Sequence, residues 1–293
     1  MTIDGIVEAP PCLPPHPPGA APSWRLPDGT CDSHMHVFGP RDRYPLAPLR
    51  SYTPHLLTID DYRAVMAALG IARAVLVQPS VYGMDNRALL DALAIAPDQL
   101  RGVVVVPPDI PDGELKAMHR LGVRGIRINR RNPGGLSLSD IATLGRRIGR
   151  LGWHIQLQIE LATSCDLDGL VRGSPVPIVI DHLGFADPQA GVASPAFRQL
   201  LHLLEDGLLW IKLSAPYRMS RTGAPYADMV PIVETLLSAR PDRLLWATDW
   251  PHTELWSGMP HDGDLLVTSP LWQAPPGIRK AVFVDNPNRL YWA

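Results

Sequence analysis

Cysteine is scarce in this chain. Its three residues, Cys12, Cys31 and Cys165, lie far apart and form no CxxC pair. That pattern excludes a disulfide framework and suits a reducing cytoplasm. A basic surplus is also missing, since 27 Lys and Arg stand against 29 Asp and Glu for a formal charge of -2. The electrostatic footprint of nucleic-acid binding or of an anionic membrane surface is therefore absent, and the expected partner is a small molecule. No apolar run approaches the ~20 residues of a membrane span, and the start of the chain has neither the basic nor the apolar stretch of a secretory signal. A glycine-rich GxGxxG turn is missing too, which removes the usual dinucleotide-binding signal.

Proline, in contrast, is dense at the start. Pro10, Pro11, Pro14, Pro15, Pro17, Pro18, Pro22 and Pro27 interrupt any helix or sheet ladder, so residues 1–27 are expected to be an irregular arm and 28–293 the folded body. With 46% hydrophobic and 19% charged residues, that body can bury a large core.

Beyond the arm, β-branched runs recur at 30–37, 73–78, 101–106, 123–129, 153–160, 176–181, 208–213 and 244–248. Stretches with helical periodicity separate them, at 59–69, 87–94, 112–121, 140–151, 195–204 and 227–238. Continuous apolar strands alternating with amphipathic helices indicate a parallel sheet covered by helices. Eight such strands favour a closed (β/α)8 TIM barrel over an open sheet, and a barrel of about 250 residues plus loops fits the length.

In a barrel the C-terminal ends of the strands converge on the active site. His34 and His36 end the first strand and share a face by alternation. His182 follows Asp181 at the end of the sixth, and Asp249 follows Thr248 at the end of the eighth. A lone histidine is more often structural than functional, and His55, His119, His202 and His261 are read that way. Asp249 alone could be a helix cap, but four such placements at strand ends point to chemistry.

These motifs, His34-Met35-His36, Ile180-Asp181-His182-Leu183-Gly184 and Ala247-Thr248-Asp249-Trp250-Pro251-His252, resemble the amidohydrolase superfamily. More narrowly the chain is similar to its lactonase branch, which includes 2-pyrone-4,6-dicarboxylate lactonase and sugar-acid lactonases. Supporting stretches are 31–40, 78–80, 83–86, 124–127, Lys212 and 286–291.

The resemblance implies a hydrolase that opens a small, carboxylated lactone, with His34, His36, His182 and Asp249 as catalytic residues. The histidines would polarise the carbonyl and Asp249 would activate water. It also implies that no metal or other cofactor is required, since such lactonases work without one. The sequence agrees in part: strand four ends in Arg127-Ile128-Asn129, and His154 lies at the beginning of strand five, so a two-metal site lacks ligands. One zinc on His34, His36 and Asp249 is the alternative.

Substrate contacts are expected from Tyr52, Ser80, Arg127, Arg130, Gln158, Arg218 and His252. The arginines suit a carboxylate, which a guanidinium binds through two parallel hydrogen bonds. Of the Arg130/Arg131 pair, one is expected to face inward. Two departures from the dicarboxylate pattern stand out, Gln158 for a tyrosine and Phe185 for an arginine. Competing readings are a zinc-dependent decarboxylase-type lyase, a lactone isomerase and a non-catalytic barrel that binds a sugar acid.

Overall fold

The computed structural model describes residues 8–19, 23–163 and 166–293. Cys165 and parts of the proline-rich arm lie outside them. Among the described residues, eight parallel strands follow one another in the order β1 to β8. They are β1 Cys31–Met35, β2 Arg73–Val77, β3 Leu100–Val104, β4 Val123–Asn129, β5 His154–Gln158, β6 Ile178–Ile180, β7 Leu209–Leu213 and β8 Leu244–Trp246. This is the expected (β/α)8 barrel.

The helices α1 Ile59–Leu69, α2 Arg87–Ile95, α3 Asp112–Arg120, α4 Asp140–Ile148, α6 Pro195–Glu205 and α7 Val230–Ala239 lie where helical periodicity placed them. Four short helices were not anticipated: α5 Leu167–Arg172, α8 Asp262–Val267, α9 Pro270–Gln273 and α10 Pro276–Lys280. Each is six residues or fewer. Such short segments show too little periodicity to read.

Several strands are shorter than the β-branched runs. On β3 the ladder stops at Val104 because the Asn86 side chain takes the next peptide, accepting from Val105 N–H at 3.0 Å and donating to its carbonyl at 2.7 Å. Pro177 has no N–H to offer, so β6 begins only at Ile178.

The seam between β1 and β8 is closed beyond the end of β8. Asp249 N–H donates to His34 O at 3.0 Å and His36 N–H to Trp250 O at 2.9 Å. Side chains reinforce it. Asp32 accepts from the His34 and Thr248 amides at 3.0 Å each, from the Thr248 hydroxyl, and from Tyr62 on α1 at 2.7 Å. A carboxylate with four donors ties two strands and a helix together directly below His34 and Asp249.

The described part of the arm crosses the catalytic end. Cys12 N–H donates to Thr53 O at 3.1 Å and Leu13 N–H to Leu255 O at 2.8 Å. It thereby ties the loop after β1 to the loop after β8. Cys12 and Cys31 are buried free thiols. Among the described residues no helix is long and apolar enough to cross a membrane.

Candidate active site

Asp249 sits at the barrel mouth, 1% exposed, with Oδ1 turned toward two histidines. His34 Nε2 lies 3.8 Å from that oxygen and His182 Nε2 3.6 Å. The His34 ring is 4.9 Å from that of His36 and 4.7 Å from that of His182. The structure thus brings together the four residues that alternation and strand-end position singled out. Asp249 and His182 hold left-handed backbone angles, φ 63 and φ 49, which β-carbon-bearing residues rarely adopt. The sharp turns at those strand ends aim both side chains inward.

Each ring is held from behind. His36 Nδ1 lies 2.7 Å from the Val77 carbonyl, which can only accept, so Nδ1 carries the proton and Nε2 of the neutral ring presents a lone pair. His182 Nδ1 is 2.8 Å from the Ser214 hydroxyl, which can donate and so leave Nε2 with the proton. Burial pushes His36 down to about 3 and His182 to about 4, so both are neutral at neutral pH.

Beneath His34 lies a charged group the motif reading left without a role. Lys212 Nζ is 3.2 Å from His34 Nδ1, donates to Gln156 Oε1 at 2.7 Å, and lies 3.3 Å from Asp181 Oδ1. Asp181 Oδ1 is itself 3.2 Å from His34 Nδ1, and Gln156 donates to its other oxygen at 2.9 Å. Burial lowers Lys212 to about 8. On Asp181 burial, the largest single influence, pushes the carboxyl up, but the Lys212 ammonium and the His34 and His182 rings together hold the group well below the usual range. The sequence signal was a lone lysine inside the apolar run Leu209-Trp210-Ile211-Lys212-Leu213.

Arg218 was expected to hold a substrate carboxylate, and the structure gives it another partner. Its Nε and Nη2 both lie 2.9 Å from Asp249 Oδ2, and Nη2 also donates to Thr253 O at 2.9 Å. His252, expected to touch substrate, is fully buried behind Asp249. Its Nδ1 is 3.1 Å from the Tyr217 hydroxyl and its Nε2 3.1 Å from Asp262 Oδ1, so both nitrogens are committed within the protein. Tyr217 donates to Asp249 Oδ2 at 2.7 Å. These pairings bridge separate loops and leave no local pattern.

The remaining expected contacts divide. Arg127, almost fully buried, donates to the Gln78 carbonyl at 2.9 Å and to Gln158 Oε1, while its Nε makes no hydrogen bond and lies 3.7 Å from Asp181 Oδ2. Tyr52 is buried in an aromatic cluster with Phe38, Tyr44 and Tyr82. Ser80 is half-buried at the start of the turn after β2. Arg130 is exposed, against expectation, because its amide extends the ladder to Gln158 O at 2.9 Å and alternation turns its side chain away from the face of Arg127. Arg131 is exposed as well, with its guanidinium 4.1 Å over the Phe185 ring and its Nε 2.7 Å from Glu160, while Phe185 meets His182 edge-on at 5.7 Å, so neither arginine of the pair is drawn into the pocket interior.

Residues 31–292 match the family described as Amidohydrolase. The chain belongs to the amidohydrolase family. Among curated relatives of this amidohydrolase, a 2-pyrone-4,6-dicarbaxylate hydrolase of Comamonas testosteroni is 38% identical, with 92% of each chain covered. A 4-sulfomuconolactone hydrolase of Rhizobium radiobacter is 37% identical, with 96% of each chain covered. A crystal structure from Agrobacterium tumefaciens superposes with a TM-score of 0.84 at 28% identity, covering 93% of this chain and 99% of the other.

Whether an amidohydrolase site of this composition suits a metal can be judged from its donors. Ligand atoms of His34, His36 and Asp249 lie within 4.8 Å of one another, and His34 Nε2 is a buried nitrogen without a partner. The set fits one zinc ion, which bound there would polarise a carbonyl and acidify water. Asp249 is nonetheless already compensated by Arg218 and Tyr217. Strands β4 and β5 end in Asn129 and Gln158, which offer no carboxylate or imidazole to a second ion.

Proposed function

We propose that this amidohydrolase opens small, carboxylated lactones by Asp249-activated attack of water, with no required metal. The observation that carries the reading is Asp249 Oδ1 facing His34 Nε2 and His182 Nε2 at 3.8 and 3.6 Å. A base and two potential donors then converge on one point. The names of the two relatives, a pyrone-dicarboxylate hydrolase and a sulfomuconolactone hydrolase, support an anionic lactone as the substrate class.

In this mechanism His34 Nδ1, 3.2 Å from both the Lys212 ammonium and the Asp181 carboxylate, takes its hydrogen bond from Lys212, and His182 Nδ1 takes one from Ser214, so both rings present Nε2–H to the lactone carbonyl. The developing oxyanion is held there by preorganised donors. Nε2 of His36 accepts one hydrogen of the attacking water and Asp249 takes the other. An ester-like leaving group needs less activation than an amide, so hydrogen bonds suffice without a Lewis acid. Asp249 then returns its proton to the ring oxygen as the acyl bond breaks.

Arg127 is the residue we assign to the substrate carboxylate, as a buried cation near the end of β4 whose Nε, 3.7 Å from Asp181 Oδ2, makes no hydrogen bond within the protein. Arg131 on Phe185 contributes a second positive charge at the rim. The division into an arm, 1–27, and a barrel, 28–293, belongs to the same proposal, as does residence in the reducing cytoplasm, which the two free thiols suit.

The test is hydrolysis of a panel of lactones, including 2-pyrone-4,6-dicarboxylate, 4-sulfomuconolactone and neutral analogues, by protein treated with chelator and freed of metal. Turnover of an anionic lactone at an unchanged rate is the expected result. Loss of activity that zinc restores would move the chemistry to the single-zinc site.

A further inference from the structure

A continuous run of hydrogen-bonding side chains leads from the catalytic carboxylate to the outside of the barrel. Asp249 Oδ2 is 2.7 Å from the Tyr217 hydroxyl, which is 3.1 Å from His252 Nδ1, and His252 Nε2 is 3.1 Å from Asp262 Oδ1. His252 is fully buried, whereas the Asp262 side chain is 13% exposed. Asp262 lines a surface cavity of about 370 Å³ together with His16, Trp24, His261 and Asp264. The run therefore connects a carboxylate shielded from water to solvent on the flank of the barrel.

From this geometry we infer that Tyr217, His252 and Asp262 form an exit path for the proton that each turnover releases at Asp249. The inference rests on Asp249 acting as the base in lactone hydrolysis.

Proton positions on the run can be counted. Tyr217 has one hydrogen, and Asp262 Oδ1 as a carboxylate can only accept. In one arrangement Tyr217 donates to ionised Asp249, and His252, carrying a proton on each nitrogen, donates to Tyr217 and to Asp262. In the other, protonated Asp249 donates to Tyr217, Tyr217 donates to His252 Nδ1, and neutral His252 donates from Nε2 to Asp262. The two contain the same three protons on Asp249, Tyr217 and His252. They differ by one hop at each of the two hydrogen bonds that Tyr217 makes, which is what a relay needs.

The reaction supplies the proton. The water oxygen bonds to the acyl carbon and one of its hydrogens goes to Asp249. The acyl–oxygen bond breaks, its electron pair stays on the ring oxygen, and Asp249 gives that oxygen the proton. The product acid then ionises in the site, and its proton returns to Asp249 Oδ1. Protonation discharges the pair with Arg218, and a half-turn about Cβ–Cγ presents the proton to Tyr217. It passes to His252 Nδ1, the Nε2 proton leaves by way of Asp262, and a turn of the neutral ring from the Nδ1–H back to the Nε2–H form readies the run for the next turnover. The sum is lactone plus water giving hydroxycarboxylate plus one proton delivered to solvent.

His252 and Asp262 touch no substrate, so the test must separate proton transfer from support of the fold. In His252→Ala the missing ring leaves a hole that imidazole can fill. In dilute buffer this variant should lose about two powers of ten in kcat with KM nearly unchanged, a span typical of a lost acid–base step. Added imidazole should restore kcat, whereas pyrazole, of the same size but far less basic, should not. Asp262→Asn, which keeps both rings, should lower kcat in dilute buffer and recover as buffer concentration rises. Wild-type turnover should not depend on buffer. Equal rescue by imidazole and pyrazole, or wild-type kcat in both variants, would overturn the relay. Asp249→Asn assayed alongside keeps the outcomes apart: if it is active, the base assignment fails, and if it is inactive while His252→Ala turns over normally, only the relay fails.

Discussion

Arg218 and Asp249 are joined side-on, with the guanidinium Nε and Nη2 both 2.9 Å from Oδ2, while Oδ1 remains turned toward His34 and His182. The two carboxylate oxygens thus have separate duties, one neutralised by the protein and the other left for chemistry. Burial, the largest single influence, pushes this carboxyl up, but the Arg218 guanidinium and the neighbouring histidines together hold it well below the usual range. Asp249 is consequently ionised, and able to act as a base, far into acid.

Replacing Arg218 by methionine should release that restraint. A hydrogen bond to a charged group contributes about 1.5–3 kcal/mol, so the acid limb of kcat/KM should move to higher pH by about one to two units. The sign follows from stabilising the ionised form in the wild type only. A pH–rate profile on neutral and anionic lactones checks it. A rise in KM confined to anionic lactones, with the acid limb unmoved, would return Arg218 to substrate binding.

Arg127 should behave differently. Arg127→Met is expected to raise KM for an acidic lactone more than it lowers kcat. Truncating one partner of a buried charged pair costs about 2–5 kcal/mol, so kcat/KM should fall by about two to three powers of ten. Neutral lactones should be little affected. Equal losses on both kinds would mean that Arg127 serves to hold Gln78 and Gln158 in place at the barrel mouth.

The barrel was readable because its strands carry continuous apolar runs and its longer helices a clear period, so β2, β4 and α1 lie close to where the pattern placed them. The convergence of His34, His36, His182 and Asp249 was readable for a related reason, since strand-end position alone directs a side chain into the mouth. What a partner does to a side chain was not readable. Arg218 follows β7 and pairs with a residue following β8, and His252 turns its ring away from the pocket toward Asp262 ten positions on. Lys212 reaches Asp181 and His34 across the barrel interior, contacts that exist only once the sheet has closed.

His154 offers a test of the interior against pH. Both of its nitrogens are buried without a hydrogen-bond partner, and its ring lies so near Gly125 that a Cβ there would be 2.7 Å away. Burial holds it at about 3, so the folded protein keeps it neutral while the unfolded chain binds a proton below about pH 6.5. Its contribution is complete above pH 6.5 and lost as pH falls toward 3, at about 1.4 kcal/mol per pH unit. Urea unfolding at a series of pH values should show His154→Met losing stability less steeply than wild type, by about one proton. Parallel slopes would mean that His154 is protonated in the fold.

The central claim is that Asp249 is the base, and the measurement that tests it most directly is turnover of an anionic lactone by Asp249→Asn. The amide keeps the shape of the side chain and cannot take a proton from water. With native far-UV and near-UV circular dichroism retained, kcat should fall by at least about two to four powers of ten, the range assigned to a lost acid–base group. Turnover within a few-fold of wild type by the folded variant would contradict the account.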